Sequence, residues 1–572
     1  MKNIFERYVQ VLVSLLLALT LFSCKKDFLE RAPSDFISEK EVFANIDNAE
    51  AFLNNAYNDL PDFQVWTEDG GGLYYIGDGT DEMGYQQSSF VTQTPFDFNT
   101  GNWNPVSFPM QHLWEDYYSA IRRINTFLNN YDMIPEEVTG GGVASERKKR
   151  LKGEAYGLRA MYYFQLFKMW GGVPILDHAV DPYGNEALPK RSSAEEMVNF
   201  IKSDINLALQ NLSARYDGGL YGRITATACK ALLSRVTLYY ASPLWNPSHD
   251  VARWQDAVDA TKDALDYAIN AGYSLSRGTV NGLKGYERVF LELNNPEVIW
   301  SKQNAGDNQS YWWDVYMMPL SSGAFNVQGP IQEMVDAYEM INGQMPILGY
   351  DPSGEQIINP ASGYDPAHPY VDRDPRFYQS IIYPGATWQG RTIDIKPGGA
   401  DDVNIGGILR TNYWCRKGTL ESHNLFAGSG HALRRYSIFR LGELYLNYAE
   451  AQNEVLAAPD QEVYTQVNII RDRAGMPDLP AGLSQEEMRK RIQHERKVEM
   501  AFEDHRFWDL RRWKLSEIID NGPVHYVKED ASGKFSYPVF QHRVFDKTKH
   551  YLFPIPQSEI DKNPELEQNP GW

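Results

Sequence analysis

Three carboxylates near the C-terminus, Glu495, Glu499 and Glu503, recur every fourth residue, a spacing that sets them along one helical face. Two carboxylates flanking a cleft could serve as the acid and base of a surface glycoside hydrolase. Arg496, Arg506, Arg511 and Arg512 stand close by, however, and a salt-bridged, partly buried network is the simpler expectation. The hydrolase is therefore kept only as a distant alternative. His494-Glu495 begins like a zinc helix, but the second histidine would have to stand where the chain has Val498. Gly70-Gly71-Gly72 and Gly140-Gly141-Gly142 lack the Lys-Ser/Thr of a phosphate loop, and no Gly-x-Ser-x-Gly elbow occurs. No organic cofactor is expected. The density of carboxylates at Asp78, Asp81 and Glu82 would suit a structural calcium ion.

The remaining chemistry is aromatic. Aromatic residues make up 13% of the chain, with 14 Trp and 35 Tyr. Sugar rings present C–H groups that pack on indole and phenol faces, while their hydroxyls bond to polar neighbours. Trp66, Tyr74 and Tyr75 precede Asp81-Glu82, Trp103 precedes a helical run, and Tyr311, Trp312 and Trp313 fall in a long irregular stretch. Trp66, Tyr75, Trp103, Tyr311, Trp312 and Trp313 are the candidate ligand-stacking rings, although a ring taken singly is more often core. Trp170, Trp245, Trp508 and Trp513 lie in or beside helical runs and read as core; Tyr413 and Trp414 read either way. A net charge of −20 argues against nucleic-acid binding.

The elements that must position these residues are helical. Apolar residues recur at helical spacing over 111–130, 152–170, 194–212, 225–241, 254–268, 436–454 and 462–474. A capping box at Ser484–Glu487 starts a last long helix to about 503. Between about 270 and 430 the chain is rich in Gly, Pro, Asn and aromatics, with short strand-like runs such as Val298-Ile299-Trp300. The expectation is a mostly α fold: a tetratricopeptide-like helix-pair scaffold carrying a long loop-rich insertion. The body, 35–572, is expected to be one unit, with an N-terminal helical part (35–270), the insertion (270–430) and a C-terminal part (430–572). Cys229, in an apolar helical run, reads as a small buried hydrophobe, and Cys415 has no assigned role.

The N-terminus reads as an address. Lys2 and Arg7 precede an apolar run from Val11 to Phe22, too short to span a bilayer as a standard helix. Leu21-Phe22-Ser23-Cys24 resembles a bacterial lipobox, which implies a signal peptide over 1–23, a diacylated Cys24 and a tether over 24–34.

Several runs then resemble one family. They are Gly153-Glu154-Ala155-Tyr156-Gly157-Leu158-Arg159-Ala160 on to Trp170-Gly171-Gly172-Val173-Pro174, and Pro330 to Met340 followed by Asn342-Gly343. They continue with Asp372-Arg373-Asp374-Pro375-Arg376-Phe377, Arg440-Leu441-Gly442-Glu443-Leu444-Tyr445 and Arg471-Asp472-Arg473-Ala474-Gly475-Met476-Pro477. Glu495-Arg496-Lys497-Val498-Glu499 through Arg506, Asp509-Leu510-Arg511-Arg512-Trp513 and the terminal Asn569-Pro570-Gly571-Trp572 complete the set. In order and behind a lipobox, these runs resemble the SusD/RagB family over nearly the whole chain. The resemblance implies a helical, lipid-anchored outer-membrane protein at the cell surface, without enzymatic activity. It implies glycan binding and delivery to a SusC-like TonB-dependent transporter, with peptide or another nutrient as the alternative ligand.

Overall fold

A computed structural model of the chain describes residues 38–62, 66–67, 72–73, 75–85, 96–137, 145–180, 188–292, 294–303, 313–314, 316–324, 328–402, 410–422 and 435–572. The signal peptide, Cys24 and the tether lie outside these residues. The longer helices are α1 (Leu113–Asn129), α2 (Arg147–Trp170), α3 (Ala194–Leu209), α4 (Ala226–Ala241) and α5 (Val251–Asn270). After the insertion come α6 (Leu441–Val455), α7 (Gln461–Ala474), α8 (Gln485–Glu499), α9 (Arg506–Arg512) and the short α10 (Gln557–Lys562). Successive helices pack in pairs, α1 on α2, α2 on α3 and α4 on α5, and α6 returns to pack on α5. Among the described residues no helix is long and apolar enough to cross a membrane.

The sequence sets where these helices start and stop. Ser193 and Ser484 cap α3 and α8, each within a reciprocal box with the glutamate three residues on. Helix α2 ends at Gly171, whose φ of 78° is a left-handed value that a side chain would strain. Unlike its neighbours, α2 is buried on almost every side, which is why its apolar residues keep to no single stripe. Gly157 permits that depth: a Cβ there would stand 2.9 Å from Ile224 Cδ1 and 3.0 Å from Cys229 Sγ. Cys229 is fully buried, and burial pushes its thiol up to about 12.

The insertion has its own core, in which Trp313, Trp388, Tyr413 and Trp414 pack with Tyr338 and Phe377. Two long-range strand pairings stitch it to the scaffold. Strand β1 (Met83–Tyr85) runs antiparallel to β3 (Gln328–Pro330), with Met83 opposite Pro330 and Tyr85 opposite Gln328. Strand β2 (Val298–Gln303) runs antiparallel to β4 (Arg435–Arg440), with Gln303 opposite Arg435.

Two helix boundaries differ from the sequence reading. Residues 436–440 extend as β4 and helix begins only at Leu441, because Tyr436 and Ile438 alternate as a strand requires and their backbone is held by β2. Helix α8 ends at Glu499, after which Phe502 (φ 62°) and Asp504 (φ 64°) turn the chain sharply. Glu503 is thus not on the same helix as Glu495 and Glu499, yet the turn brings it back to the same partners.

Those partners form a buried cage. Arg440 donates from Nη1 to Glu297 Oε1 and Glu499 Oε1 (both 2.8 Å) and from Nε to Glu503 Oε2 (2.7 Å). Arg376 Nη1 reaches Glu495 Oε1 (2.6 Å) and Glu499 Oε2 (3.1 Å). Arg471 bridges Glu495 and Glu339, both at 2.9 Å, while Arg473 joins Glu297 and Glu499. Lys417 Nζ donates to Glu503 Oε1 at 2.6 Å. Glu495, Glu499 and Glu503 are all held below the usual carboxylate range by these cations, against the opposing effect of burial. Glu499→Ala leaves Arg440 and Arg473 short of a counter-charge in the interior, and the expected loss is about 3–5 kcal/mol of unfolding free energy. Urea unfolding of the variant checks it; a loss under about 1 kcal/mol would show that the cage carries little stability.

Candidate functional site

The candidate stacking rings separate into two groups. Tyr75 and Trp313 meet edge to face, ring centroids 5.5 Å apart, and both are fully buried. Tyr75 OH donates to Glu82 Oε2 at 3.4 Å, and Trp313 Nε1 donates to Thr419 Oγ1 at 3.3 Å. Trp103 is 2% exposed, stacked on His550 (4.8 Å) and packed against the terminal Trp572 (4.6 Å). These three rings present no free face to a sugar, which corrects their assignment as ligand contacts. Each falls where the chain turns inward against large apolar neighbours, and burial of that area outweighs exposure. The backbone of Trp66 pairs with Leu73 in a two-residue hairpin, while its side chain lies outside the described residues. Tyr311 and Trp312 also lie outside them. Tyr413 and Trp414 are fully buried and belong to the core.

The carboxylates proposed for calcium have other partners. Asp81 accepts from Arg506 Nε (2.7 Å) and Nη2 (2.9 Å) and from Lys497 Nζ (2.7 Å). Those cations hold it far below the carboxylate range and disfavour a third positive charge. Asp78 accepts from Gln328 Nε2 at 2.7 Å, and burial raises its pKa well above the ordinary value. Among the described residues no group of His, Cys, Asp and Glu is arranged to hold a metal ion.

The borders of the loops carry a different signal. Tyr85 and Gln328, which border 86–95 and 325–327, stand directly opposite each other in the β1–β3 pair. Gln303 and Arg435, which border 304–312 and 423–434, are likewise opposite in the β2–β4 pair. Lys302 Nζ donates to Leu60 O at 2.9 Å, tying the second pair to the chain just before 63–65. Tyr75, after 68–71, touches Trp313, after 304–312. The borders of 63–65, 68–71, 86–95, 304–312, 325–327 and 423–434 are thus tied to one another, and they mark the loop-bearing end.

Beneath this end lies a small polar cavity of about 20 Å3, lined by Gln165, Lys168, Tyr436, Ser437, Asp504 and His505, among others. It has room for about one water. Burial and nearby cations hold Lys168 and His505 well below their ordinary values. Sequence reasoning missed these residues because Lys168 and Gln165 sit inside an apolar helical run, where a charged residue normally marks the solvent face.

Residues 296–572 match the SusD family model, and residues 27–238 match a SusD-like family described as starch-binding and associating with the outer membrane. This chain is a member of the SusD/RagB family. A SusD-like protein of Bacteroides ovatus is 24% identical, the match covering 98% of this chain and 97% of the relative. Among solved structures, a SusD-like protein of Bacteroides fragilis superposes with a TM-score of 0.76 at 27% identity, covering 95% of this chain and all of that one. A SusD-like carbohydrate-binding protein of the same species superposes at 0.74 with 22% identity, covering 92% and 100%. The helix-pair scaffold with its insertion is therefore the fold of the SusD family.

Glu82 in this SusD-family chain lies below the loop-bearing end. Burial, reinforced by the neighbouring Asp81 charge, pushes it up to about 8. A carboxylate whose pKa rises on folding binds its proton more tightly in the folded state. Its contribution to stability is full below about pH 4.5 and is lost as pH rises towards 8. Glu82→Gln is expected to remove that fall, flattening unfolding free energy between about pH 5 and 8 relative to the parent. Urea melts across that interval test it; an unchanged slope would place the titration elsewhere.

Proposed function

We propose that this SusD-family chain is a non-catalytic, surface-exposed lipoprotein that binds a glycan at its loop-bearing end and hands it to a partner TonB-dependent transporter. The observation that carries the proposal is the contact of Tyr75 with Trp313, since Trp66 precedes the first and Tyr311 and Trp312 immediately precede the second in sequence. These three rings are assigned the stacking contacts, and the buried Tyr75 and Trp313 the core that supports them. Rings on loops over a rigid scaffold suit a ligand recognised weakly per sugar and more strongly as its chain lengthens. The starch-binding description of the family matched over 27–238, and the carbohydrate-binding name of the Bacteroides fragilis relative, support the ligand class.

The carboxylates offer no support for hydrolysis. Glu495, Glu499 and Glu503 are each bound to guanidinium or ammonium groups in the interior, where none can act as a proton donor to a leaving group.

Affinity electrophoresis of residues 25–572 in gels containing starch and other plant, host and microbial polysaccharides tests the reading. Retardation by at least one glycan is expected, weakened by roughly 0.5–1.5 kcal/mol, up to about tenfold, in Trp312→Ala or Trp66→Ala. Trp103→Ala is the contrasting variant: it should lose about 3–5 kcal/mol of stability while its folded fraction binds as the parent does. No retardation of folded protein by any polysaccharide would move the assignment to a peptide ligand. Anchoring is tested separately. Cys24→Ala is expected to shift the protein from the membrane pellet to the soluble fraction and to abolish incorporation of labelled palmitate. Retention in the pellet without label would overturn the lipid anchor.

A further inference from the structure

A second concave site lies on the outer face of the scaffold and shares no lining residue with the cavity beneath the loop-bearing end. It is a groove of about 420 Å3 between α1, the chain following α2 and the segment around α10. Its walls are pinned to one another by partly buried hydrogen bonds. Tyr118 OH donates to Pro174 O (2.8 Å), Asn125 Nδ2 donates to Leu176 O (2.9 Å) and His178 O (3.0 Å), and Asn563 Nδ2 donates to Pro189 O (2.9 Å). A groove held this way exists before any ligand arrives, and its volume falls in the range of small-molecule sites.

The chemistry of the lining is specific. Trp114, Tyr118, Ile121, Leu176, Val180 and Leu566 make it predominantly apolar. The Tyr118 hydroxyl is turned inward to Pro174, so its ring rather than its polar tip faces the groove. The two charged groups on the far wall are already joined, Lys562 Nζ to Glu559 Oε1 at 2.7 Å. On the near wall, along α1, stand Ser119, Arg122 and the exposed Glu115, and none of these side chains makes a hydrogen bond or ion pair with a described residue; Glu115 lies about two turns from Arg122, at the opposite end of that wall. The apolar floor gives sugar hydroxyls little to bond to, which separates this site from a glycan cleft. A guanidinium without a counter-ion beside an apolar trough has the complement of an amphipathic acid.

We infer that this groove binds a small amphipathic monocarboxylate, its aromatic or medium-chain aliphatic body on the Trp114–Tyr118 side and its carboxylate on Arg122. The inference stands apart from the glycan reading, since either site can fail without the other.

Isothermal titration of residues 25–572 with sodium octanoate, and separately with octanol, tests it. Octanoate is expected to bind about tenfold more tightly than octanol. Arg122→Gln should make the two equal, and because Arg122 is exposed the variant should keep the parent's circular dichroism and melting temperature. Ser119→Trp should fill the groove and abolish binding of both, while leaving polysaccharide retardation unchanged. Absence of octanoate binding overturns the inference. So does equal binding of octanoate and octanol by the parent, or octanoate binding that survives Ser119→Trp in a folded protein.

Discussion

The interior of this protein depends on the cost of burying charge. Arg376, Arg440 and Arg473, each about 1% exposed, would be untenable alone in a medium of low dielectric. They are tolerated because Glu297, Glu495, Glu499 and Glu503 reach them from separate parts of the chain. Arg376, Glu297, Glu339 and Lys417 come from the insertion, and the remaining members come from β4, α7, α8 and the turn after α8. Arg376 has a local counter-charge in Asp374 at 2.8 Å, but Arg440 and Arg473 find theirs only in Glu297 from the insertion and Glu499 or Glu503 from the C-terminal part, so the two regions complete the cage together. A purely apolar interface would stabilise as much without fixing the register.

That constraint accounts for features that otherwise look arbitrary. Phe502 and Asp504 adopt left-handed conformations that side chains seldom take, and the turn they make is what carries Glu503 back to Arg440 and Lys417. The bulged register of β4 against β2 delivers Arg440 to the same point. With that junction fixed, β1–β3 and β2–β4 hold the borders of 86–95, 304–312, 325–327 and 423–434 in register. Variable loops on an invariant frame are how one fold serves many ligands.

The abundance of aromatic residues has a double meaning in such a fold. Trp103, Trp313, Trp388 and Trp414 are all within the two cores, where flat rings fill the irregular space between helices and a loop-rich insertion. A ring that packs and a ring that stacks on sugar require the same residue type, and nothing local separates them. Trp312 and Trp313 are neighbours in sequence. The second is fully buried and its indole N–H is engaged by Thr419.

The sequence alone determined the family and the main helices, because these rest on local information: apolar spacing in α1, α3 and α5, the Ser193 and Ser484 caps, the Gly171 stop, and motif runs in fixed order. It also pointed to salt-bridged carboxylates at Glu495 and Glu499, but their partners are Arg376, Arg440, Arg471 and Arg473 and not the neighbouring Arg496, Arg506, Arg511 and Arg512. Tertiary structure decided the rest. That 436–440 is strand follows from a partner more than a hundred residues away, β2, and that Tyr75 and Trp103 are core follows from Trp313 and Trp572, which meet them only after folding. Burial and pairing across long separations are properties of the assembled chain, and a spacing of residues carries them only where both partners lie on one element.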